Sequence, residues 1–321
     1  MQLRIATYNL RYDSQPDNIT VQQSLEVLPG PLEEPHYLAR SGEQPWSTRR
    51  MKVAQHLLSE NPTIIGFQEA LVRQVRDLAQ LLGDEWAWVG VGRDDGAEAG
   101  EFCPIFYKTT ELTLVEKESF WLSHTPFEPS RFPGAGSHRV CEVVRFNAKS
   151  SLASSPQAFT LLNTHLDDRS DIQRRLAASL LLIRARYEAY TTGGPVFVTG
   201  DFNSAATGYD SGAYQIITGK QRPIPVDPAF AKKYAVPEDA LPDFVMQDLK
   251  VETPKLRVWG DFATFTGFNR PNDHSVFTRI DFVFGGSNGG WRANAHKVGS
   301  SLTDDGILAS DHRPVFADVS L

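Results

Sequence analysis

Cysteine is scarce: 321 residues contain only Cys103 and Cys141. Two thiols do not make a secreted disulfide framework, so a reducing compartment is the default. The N-terminal residues also lack a basic stretch followed by an apolar core and a small-residue cleavage site. An intracellular, cytoplasmic location is therefore expected. No apolar run approaches the length of a membrane span, and no membrane partner is expected. Basic excess is missing too: 32 Lys plus Arg face 39 Asp plus Glu, for a net charge of -7. That argues against a broad electrostatic grip on duplex nucleic acid, which normally needs a basic face. It leaves room for a local basic pocket, because the arginines cluster. Internal repeats, heptads and low-complexity tracts are absent. No G-x-S-x-G elbow occurs, which argues against a serine-nucleophile hydrolase.

What is present is a series of short apolar runs that end on polar residues. The most informative is Pro195-Val196-Phe197-Val198-Thr199-Gly200, followed by Asp201-Phe202-Asn203. A β-branched run of this length reads as a strand buried on both faces. Gly200 permits a turn and a close approach of ligand to backbone. Asp201 and Asn203 then project from the end of a rigid element, although Asp and Asn are also ordinary turn residues. Further strands are expected over 3–10, 63–69, 86–91, 101–108, 112–122, 140–146, 159–165 and 279–284, with a last one after Pro314. Helices are expected over 49–58, capped by Thr48, over 72–82, closed by Gly83, over 172–190 as a long amphipathic helix, and near Tyr214. Residues 14–46 read as a long irregular loop, and the Pro/Gly loop 125–137 as a carrier of specificity. No composition shift marks a linker, so one domain over 1–321 is expected.

Asn9, Glu69, His165, Asp201, Asn203 and the Asp311-His312 pair all fall at the edges of these strands. Strand ends are often polar and solvated, but strands laid side by side would gather this set on one rim. Carboxylates and amides without a thiolate cluster suit Mg²⁺ or Mn²⁺, not structural zinc. Histidines next to acids suit proton transfer and stabilisation of oxygen charge. Metal-assisted displacement at phosphorus fits this inventory.

The motifs Tyr8-Asn9-Leu10-Arg11, Phe67-Gln68-Glu69, Asn163-Thr164-His165, Gly200-Asp201-Phe202-Asn203, Arg279-Ile280-Asp281-Phe282 and Ser310-Asp311-His312-Arg313 occur in this order over nearly the whole chain. In this the chain resembles the endonuclease/exonuclease/phosphatase superfamily, and within it an uncharacterised microbial and fungal branch. The resemblance implies a four-layer α/β sandwich of two packed, mostly antiparallel sheets flanked by helices, with the site at one rim. It implies Glu69 as principal metal ligand with Asn9 and Asp311, for Mg²⁺ or Mn²⁺. Asp201 would orient or deprotonate the attacking water, and Asn203 would hold phosphate. His312, oriented by Asp281, would stabilise developing charge. Glu101 would partner His165, which would donate a proton to the leaving oxygen. Arg11 stands where abasic-site endonucleases carry an acid, which argues against repair of duplex DNA.

Arg93, Arg139 and Arg169 are candidates to grip a second phosphate or polar group, or to form structural ion pairs. Trp46, Trp121 and Phe268 could stack on a base, or pack in the core. The expected activity is hydrolysis of a phosphodiester or phosphomonoester in a nucleotide, a single-stranded nucleic acid end or a small phosphorylated metabolite, by a monomer. The alternatives are a sphingomyelinase-like lipid phosphodiesterase and a non-catalytic binding module that kept the fold.

Overall fold

The computed structural model describes residues 1–30, 32–34, 42–149, 157–270 and 272–321. Residues 31 and 35–41 of the expected 14–46 loop lie outside the described residues. The strands are β1 (Gln2–Asn9), β2 (Ile64–Gln68), β3 (Trp86–Val89), β4 (Ile105–Lys108), β5 (Leu112–Trp121), β6 (Val140–Ala148), β7 (Gln157–His165), β8 (Val196–Asp201), β9 (Met246–Asp248), β10 (Val258–Gly260), β11 (Asp281–Gly286), β12 (Arg292–Val298) and β13 (Val315–Ser320). The helices are α1 (Val21–Glu26), α2 (Trp46–Glu60), α3 (Val72–Leu82), α4 (Asp171–Thr192), α5 (Gly212–Ile217), α6 (Pro228–Lys233) and α7 (Leu249–Glu252), with a short 3-10 turn at Lys255–Arg257.

The strands form a seven-stranded sheet, β10-β12-β13-β1-β2-β4-β3, and a six-stranded sheet, β5-β6-β7-β8-β11-β9. Most neighbours are antiparallel; β1–β2, β7–β8 and β10–β12 are parallel. Apolar side chains such as Ile5, Ile64, Val144, Phe197 and Val283 fill the space between the sheets. On the outer face of the first sheet, Val53 and Leu57 of α2 and Val75 and Leu78 of α3 pack with Phe67, Phe106 and Phe316. On the outer face of the second, Leu176, Leu180 and Leu181 of α4 pack with Val196, Val198 and Phe282, and α5 and α6 join the same core. These are the four layers of an α/β sandwich, as expected. No described helix is long and apolar enough to cross a membrane.

Several local expectations change. Helix α2 starts at Trp46, two residues before the anticipated cap, with Pro45 preceding it and no side-chain cap; proline's fixed φ is itself compatible with a helix entrance. The loop 14–46 contains α1, which a Thr20–Gln23 capping box starts. Helix α4 is not amphipathic: Arg174, Arg184 and Glu188 are buried along with its leucines, because α5 lies over its outer side. Strand β8 does not stop at Gly200 but runs to Asp201, all six residues buried. Gly200, at φ 155°, meets the Thr164 carbonyl of β7, where a Cβ would collide. Its freedom serves strand-to-strand approach, not a ligand.

One polar seam crosses the apolar space between the sheets. Gln68 Nε2 donates to Asn163 Oδ1 (2.8 Å), which also accepts from Thr199 Oγ1 (3.1 Å). Asn163 Nδ2 donates to the carbonyls of Phe67 (2.8 Å) and Cys103 (2.9 Å). Gly66 faces the Asn163 and Thr199 side chains so closely that any Cβ would displace them. Buried polar groups that satisfy one another rigidify and specify a core, and this seam sets the spacing of the sheets beneath the rim.

Candidate active site

Strand register builds the site. In the second sheet His165 lies beside Asp201 across the parallel β7–β8 pair, and Asp281 beside Asp201 across the antiparallel β8–β11 pair. In the first sheet Asn9 ends β1 beside Gln68, and Glu69 follows at once. Asp311 and His312 approach from the segment before β13, where His312 bridges Phe265. Five non-glycine residues among those described have left-handed backbone, and three are here: Arg11 (φ 56°), Glu69 (58°) and Asn203 (45°). Each such conformation costs on the order of 1 kcal/mol and persists where the surroundings over-determine it, often at functional sites.

Asn9 ties the two sheets together: its Nδ2 donates to Glu69 Oε1 (3.0 Å) and to Asp201 Oδ2 (2.9 Å). Its Oδ1 accepts from the Arg11 backbone N–H (2.9 Å). The second Glu69 oxygen accepts from Tyr12 N–H (3.2 Å). Asp201 Oδ1 accepts from Asn203 N–H (2.9 Å). His312 Nδ1 meets Asp281 Oδ2 at 2.9 Å, while His312 Nε2 and His165 Nε2 lie 3.6 and 3.5 Å from Asp201 Oδ2. Asn203 Nδ2 reaches His165 Nε2 (3.0 Å) and the Leu166 carbonyl (3.0 Å).

Electrostatics separate the two histidines. Burial alone would hold both neutral, but Asp281 and then Asp201 hold His312 well above the usual imidazole range, as an imidazolium. Burial, reinforced by Arg139 and Arg93, pushes His165 well below it. Its Nε2 faces the Asn203 amide and thus acts as acceptor, leaving the proton on Nδ1. His165 is here a neutral ring, not a store of an acidic proton. Burial and the neighbouring Asp281 raise Asp201 to about 7, which places a carboxylate base near neutrality. Burial and Glu69 also raise Asp311.

This crowding of acids fits a divalent cation. Glu69, Asp201 and Asp311 line one cavity with no Lys among its described lining residues, and the Arg11 guanidinium is 3.8 Å from Glu69. Donor atoms of Glu69, His165 and Asp201 lie within 4.8 Å of one another. Hard oxygen donors are the set that such a cation takes. Glu69 and Asp311, expected as ligands, share the cavity. Asn9, expected as a third, uses its amide N–H₂ to hold Glu69 and Asp201 and its oxygen on Arg11. Asp281 and His312 also stand close to Asp201, but their mutual hydrogen bond makes them a dyad.

The Glu101–His165 dyad is not formed. His165 Nδ1 lies 4.0 Å from Glu101, too far for a hydrogen bond, and has no partner among the described residues. Glu101 instead meets Arg93 Nη1 at 2.5 Å, a charge-assisted contact that a neutral imidazole does not displace. Arg93, Arg139 and Arg169 all line the cavity, as do Gly136 and Ser137 of the 125–137 loop. Arg139 is paired with Asp167 and Asp168, and Arg169 is exposed. Trp46 is wholly buried and donates to Asp77; Trp121 donates to the Arg93 carbonyl. Neither of them, nor Phe268, lines the cavity. Arg11, Tyr12 and Phe265 do, and sequence reading did not single them out for contact; the closeness of Arg11 to Asn9 was the available signal.

A sheet rim holding a near-neutral buried carboxyl, an oriented imidazolium and a carboxylate cluster suited to a cation has the make-up of a hydrolytic phosphoesterase site. The chain belongs to the Endonuclease/Exonuclease/phosphatase family, which matches residues 6–312. No curated protein matches the sequence significantly. Among solved structures the chain is similar to an endonuclease/exonuclease/phosphatase from Bacteroides vulgatus, at 28% identity, 100% coverage of this chain and 99% of that one, and a TM-score of 0.74. It is also similar to the mannosyl-6-phosphatase of Bacteroides thetaiotaomicron, at 25% identity, 99% and 100% coverage, and a TM-score of 0.71. TDP2 of D. rerio, complexed with a single-strand DNA product, shares the fold at 13% identity, 100% and 99% coverage, and a TM-score of 0.59.

Proposed function

We propose that this protein is a Mg²⁺- or Mn²⁺-dependent phosphoesterase acting on small phosphorylated molecules, with phosphomonoesters preferred. The observation that carries the reading is a single cavity of about 560 Å³ holding Glu69, Asp201, Asn203, Asp311 and both histidines. A cavity of that size suits a metabolite and not a duplex. The similarity to a mannosyl-6-phosphatase supports a sugar phosphate as substrate; the likeness to TDP2 keeps single-stranded DNA ends in the test.

A bound divalent cation would be held by Glu69 and Asp311, with Asp201 adjacent, and would neutralise charge on the phosphoryl oxygens. Asp201 takes a proton from the attacking water. The His312 imidazolium, kept in orientation by Asp281, donates to the non-bridging oxygens. Asn203 fixes both the Asp201 carboxylate and the His165 ring. Water adds to phosphorus, the ester P–O bond breaks, and the leaving oxygen takes a proton from solvent water, while the proton on Asp201 returns to solvent.

A panel of mannose 6-phosphate, a nucleoside monophosphate, bis(p-nitrophenyl) phosphate and a short single-stranded oligonucleotide, each with Mg²⁺, Mn²⁺ or EDTA, tests the reading. Cation-dependent release of inorganic phosphate from monoesters is expected. Activity that persists in EDTA, or that is unchanged in Asp201→Ala and His312→Ala, would refute it.

One observation favours the lipid alternative. Residues 251–262 expose Val251, Leu256, Trp259 and Phe262, a pattern suited to a lipid interface. Co-sedimentation with anionic vesicles, lost in a Trp259→Ala/Phe262→Ala double variant, would move the reading there.

A further inference from the structure

The cavity has a second end. Beyond the carboxylate rim its wall is formed by Arg93, Glu101, Arg139, Asp168 and Arg169. We propose that this wall is a leaving-group subsite for a neutral polyhydroxylated group such as a sugar ring, with Arg139 and Asp168 as its specificity-determining pair. The inference rests on the phosphoesterase reading above and names the group attached to the phosphate.

Charge balance is the first support. Arg93 meets Glu101 at 2.5 Å; Arg139 meets Asp168 at 2.7 Å and Asp167 at 3.4 Å; Arg169 lies 3.7 Å from Asp168. Counting Asp167, which pairs with Arg139 from behind the wall, three guanidiniums stand beside three carboxylates, so the wall has little positive charge with which to hold a second phosphate. The wall was expected to grip such a phosphate or another polar group, and this balance favours the latter.

Spare hydrogen-bonding capacity is the second. Arg139 is almost wholly buried, yet its Nη1 has no hydrogen-bond partner among the described residues. Asp168 uses Oδ1 on Arg139, while its Oδ2 is beyond hydrogen-bond reach of Arg169 Nε. An unpaired buried donor is costly, and it stands here beside an acceptor with a free lone pair. A hydroxyl donates and accepts at once, so vicinal hydroxyls satisfy both once the Arg139 side chain turns Nη1 out of its buried position, whereas a phosphate can only accept from the first.

Rigidity is the third. Asp167 accepts from Gly136 N–H (2.9 Å) while it pairs with Arg139, tying the 125–137 loop to the wall. Arg93 N–H donates to the Glu101 carbonyl (3.1 Å), and the Arg93 carbonyl accepts from Trp121 (2.7 Å). Groups held this way bind with little ordering cost. The aromatic rings on the cavity are engaged: Arg11 lies over Tyr12 at 4.1 Å, and Phe265 lies against His312 at 4.9 Å. A stacked base has no open platform there.

The test is a set of kcat/KM values with saturating Mg²⁺ or Mn²⁺, for mannose 6-phosphate, fructose 1,6-bisphosphate, adenosine 5′-monophosphate and phenyl phosphate. The sugar monophosphate should be preferred over phenyl phosphate by about tenfold or more, the ordinary effect of leaving built-in polar groups unpaired. Asp168→Asn, at a half-exposed side chain, should cut that preference by about tenfold, with circular dichroism and Tm showing an intact fold. Arg139→Lys, which keeps the charge and loses the fork, should do the same. A preference for the bisphosphate or the nucleotide, or an unaltered sugar-to-phenyl ratio in Asp168→Asn, would overturn the proposal. Hydrolysis of phenyl phosphate without preference for the sugar ester would overturn the subsite and leave the phosphoesterase reading standing. Hydrolysis of none of the four would overturn both.

Discussion

Two of the buried clusters of charge among the described residues are built on opposite rules. Behind the second sheet, Arg184 of α4 meets Glu188 (2.8 Å) and Glu118 (2.5 Å). Arg145 meets Glu188 (2.6 Å), and Lys233 and Tyr234 close on Glu118 at 2.6 and 2.9 Å. Burial raises the Glu118 carboxyl, but Lys233 and Arg184 overcome it and hold the group down at about 2. At the rim, Glu69, Asp201, Asp281 and Asp311 crowd together and Asp201 rises to about 7. The same residue types serve architecture where each acid has its base, and chemistry where acids face one another.

The largest expected effect strikes the rim. Asp201→Asn should lower kcat by about 10³-fold or more, as loss of a general base does. It should also raise the Tm of the metal-free protein at pH 8, because it removes a buried negative charge. A Tm that falls at pH 8 would mean that the rim carboxylates stabilise the fold as the other cluster does, and the contrast would fail.

Arg184→Met should do the reverse. Removing one partner from a buried ion network leaves Glu188 with the Arg145 cation alone and Glu118 with the Lys233 cation alone, at a cost of about 3 kcal/mol. Urea unfolding reads that loss, and kcat/KM on the same preparation should stay within about twofold, since α4 keeps its place.

Proton linkage sharpens the comparison. The folded value of Glu118, about 2, lies below its ordinary 4.5, so its stabilisation is present above pH 4.5 and disappears as the pH falls towards 2. Glu118→Gln should flatten that acid limb. The folded value of Asp201, about 7, lies above 3.8, so its contribution is lost as the pH rises from 3.8 through 7. Mg²⁺ should reverse the second trend and not the first: it raises Tm more at pH 8 than at pH 5, by mass action on the folded state. Calorimetric melts across pH 3–9 with and without Mg²⁺ would reveal either limb.

The smallest effect concerns His296 on β12, buried with neither ring nitrogen partnered among the described residues. Burial, then Arg279, depresses it to about 3. The unfolded chain binds the proton first, so stability falls as the pH drops from 6.5 towards 3. His296→Phe should add about 1 kcal/mol at pH 5 and less at pH 8, by chemical denaturation.

Sequence legibility follows the same division. Asn9, Glu69, His165, Asp201 and Asp281 are readable because each ends or starts an apolar run, and sheet geometry then carries them to a common rim. The partner of Glu101 is not readable: whether His165 or Arg93 reaches it depends on a loop whose hydrogen bonds are nonlocal. Left-handed backbone at Glu69 and Asn203 leaves no compositional mark. Strands β9, β10 and β12 are not legible because they are short or polar, and β12 (RANAHKV) exists through its pairing with β13. The burial of α4 is likewise set by α5, which begins twenty residues after α4 ends, and not by its own periodicity.

The seam of Gln68, Asn163 and Thr199 beneath Gly66 has a kinetic corollary. Asn9 and Glu69 ride on one sheet; His165, Asp201 and Asp281 ride on the other. A refolding chain that has completed either sheet alone is therefore catalytically silent, and the return of turnover times the moment at which the two halves lock together.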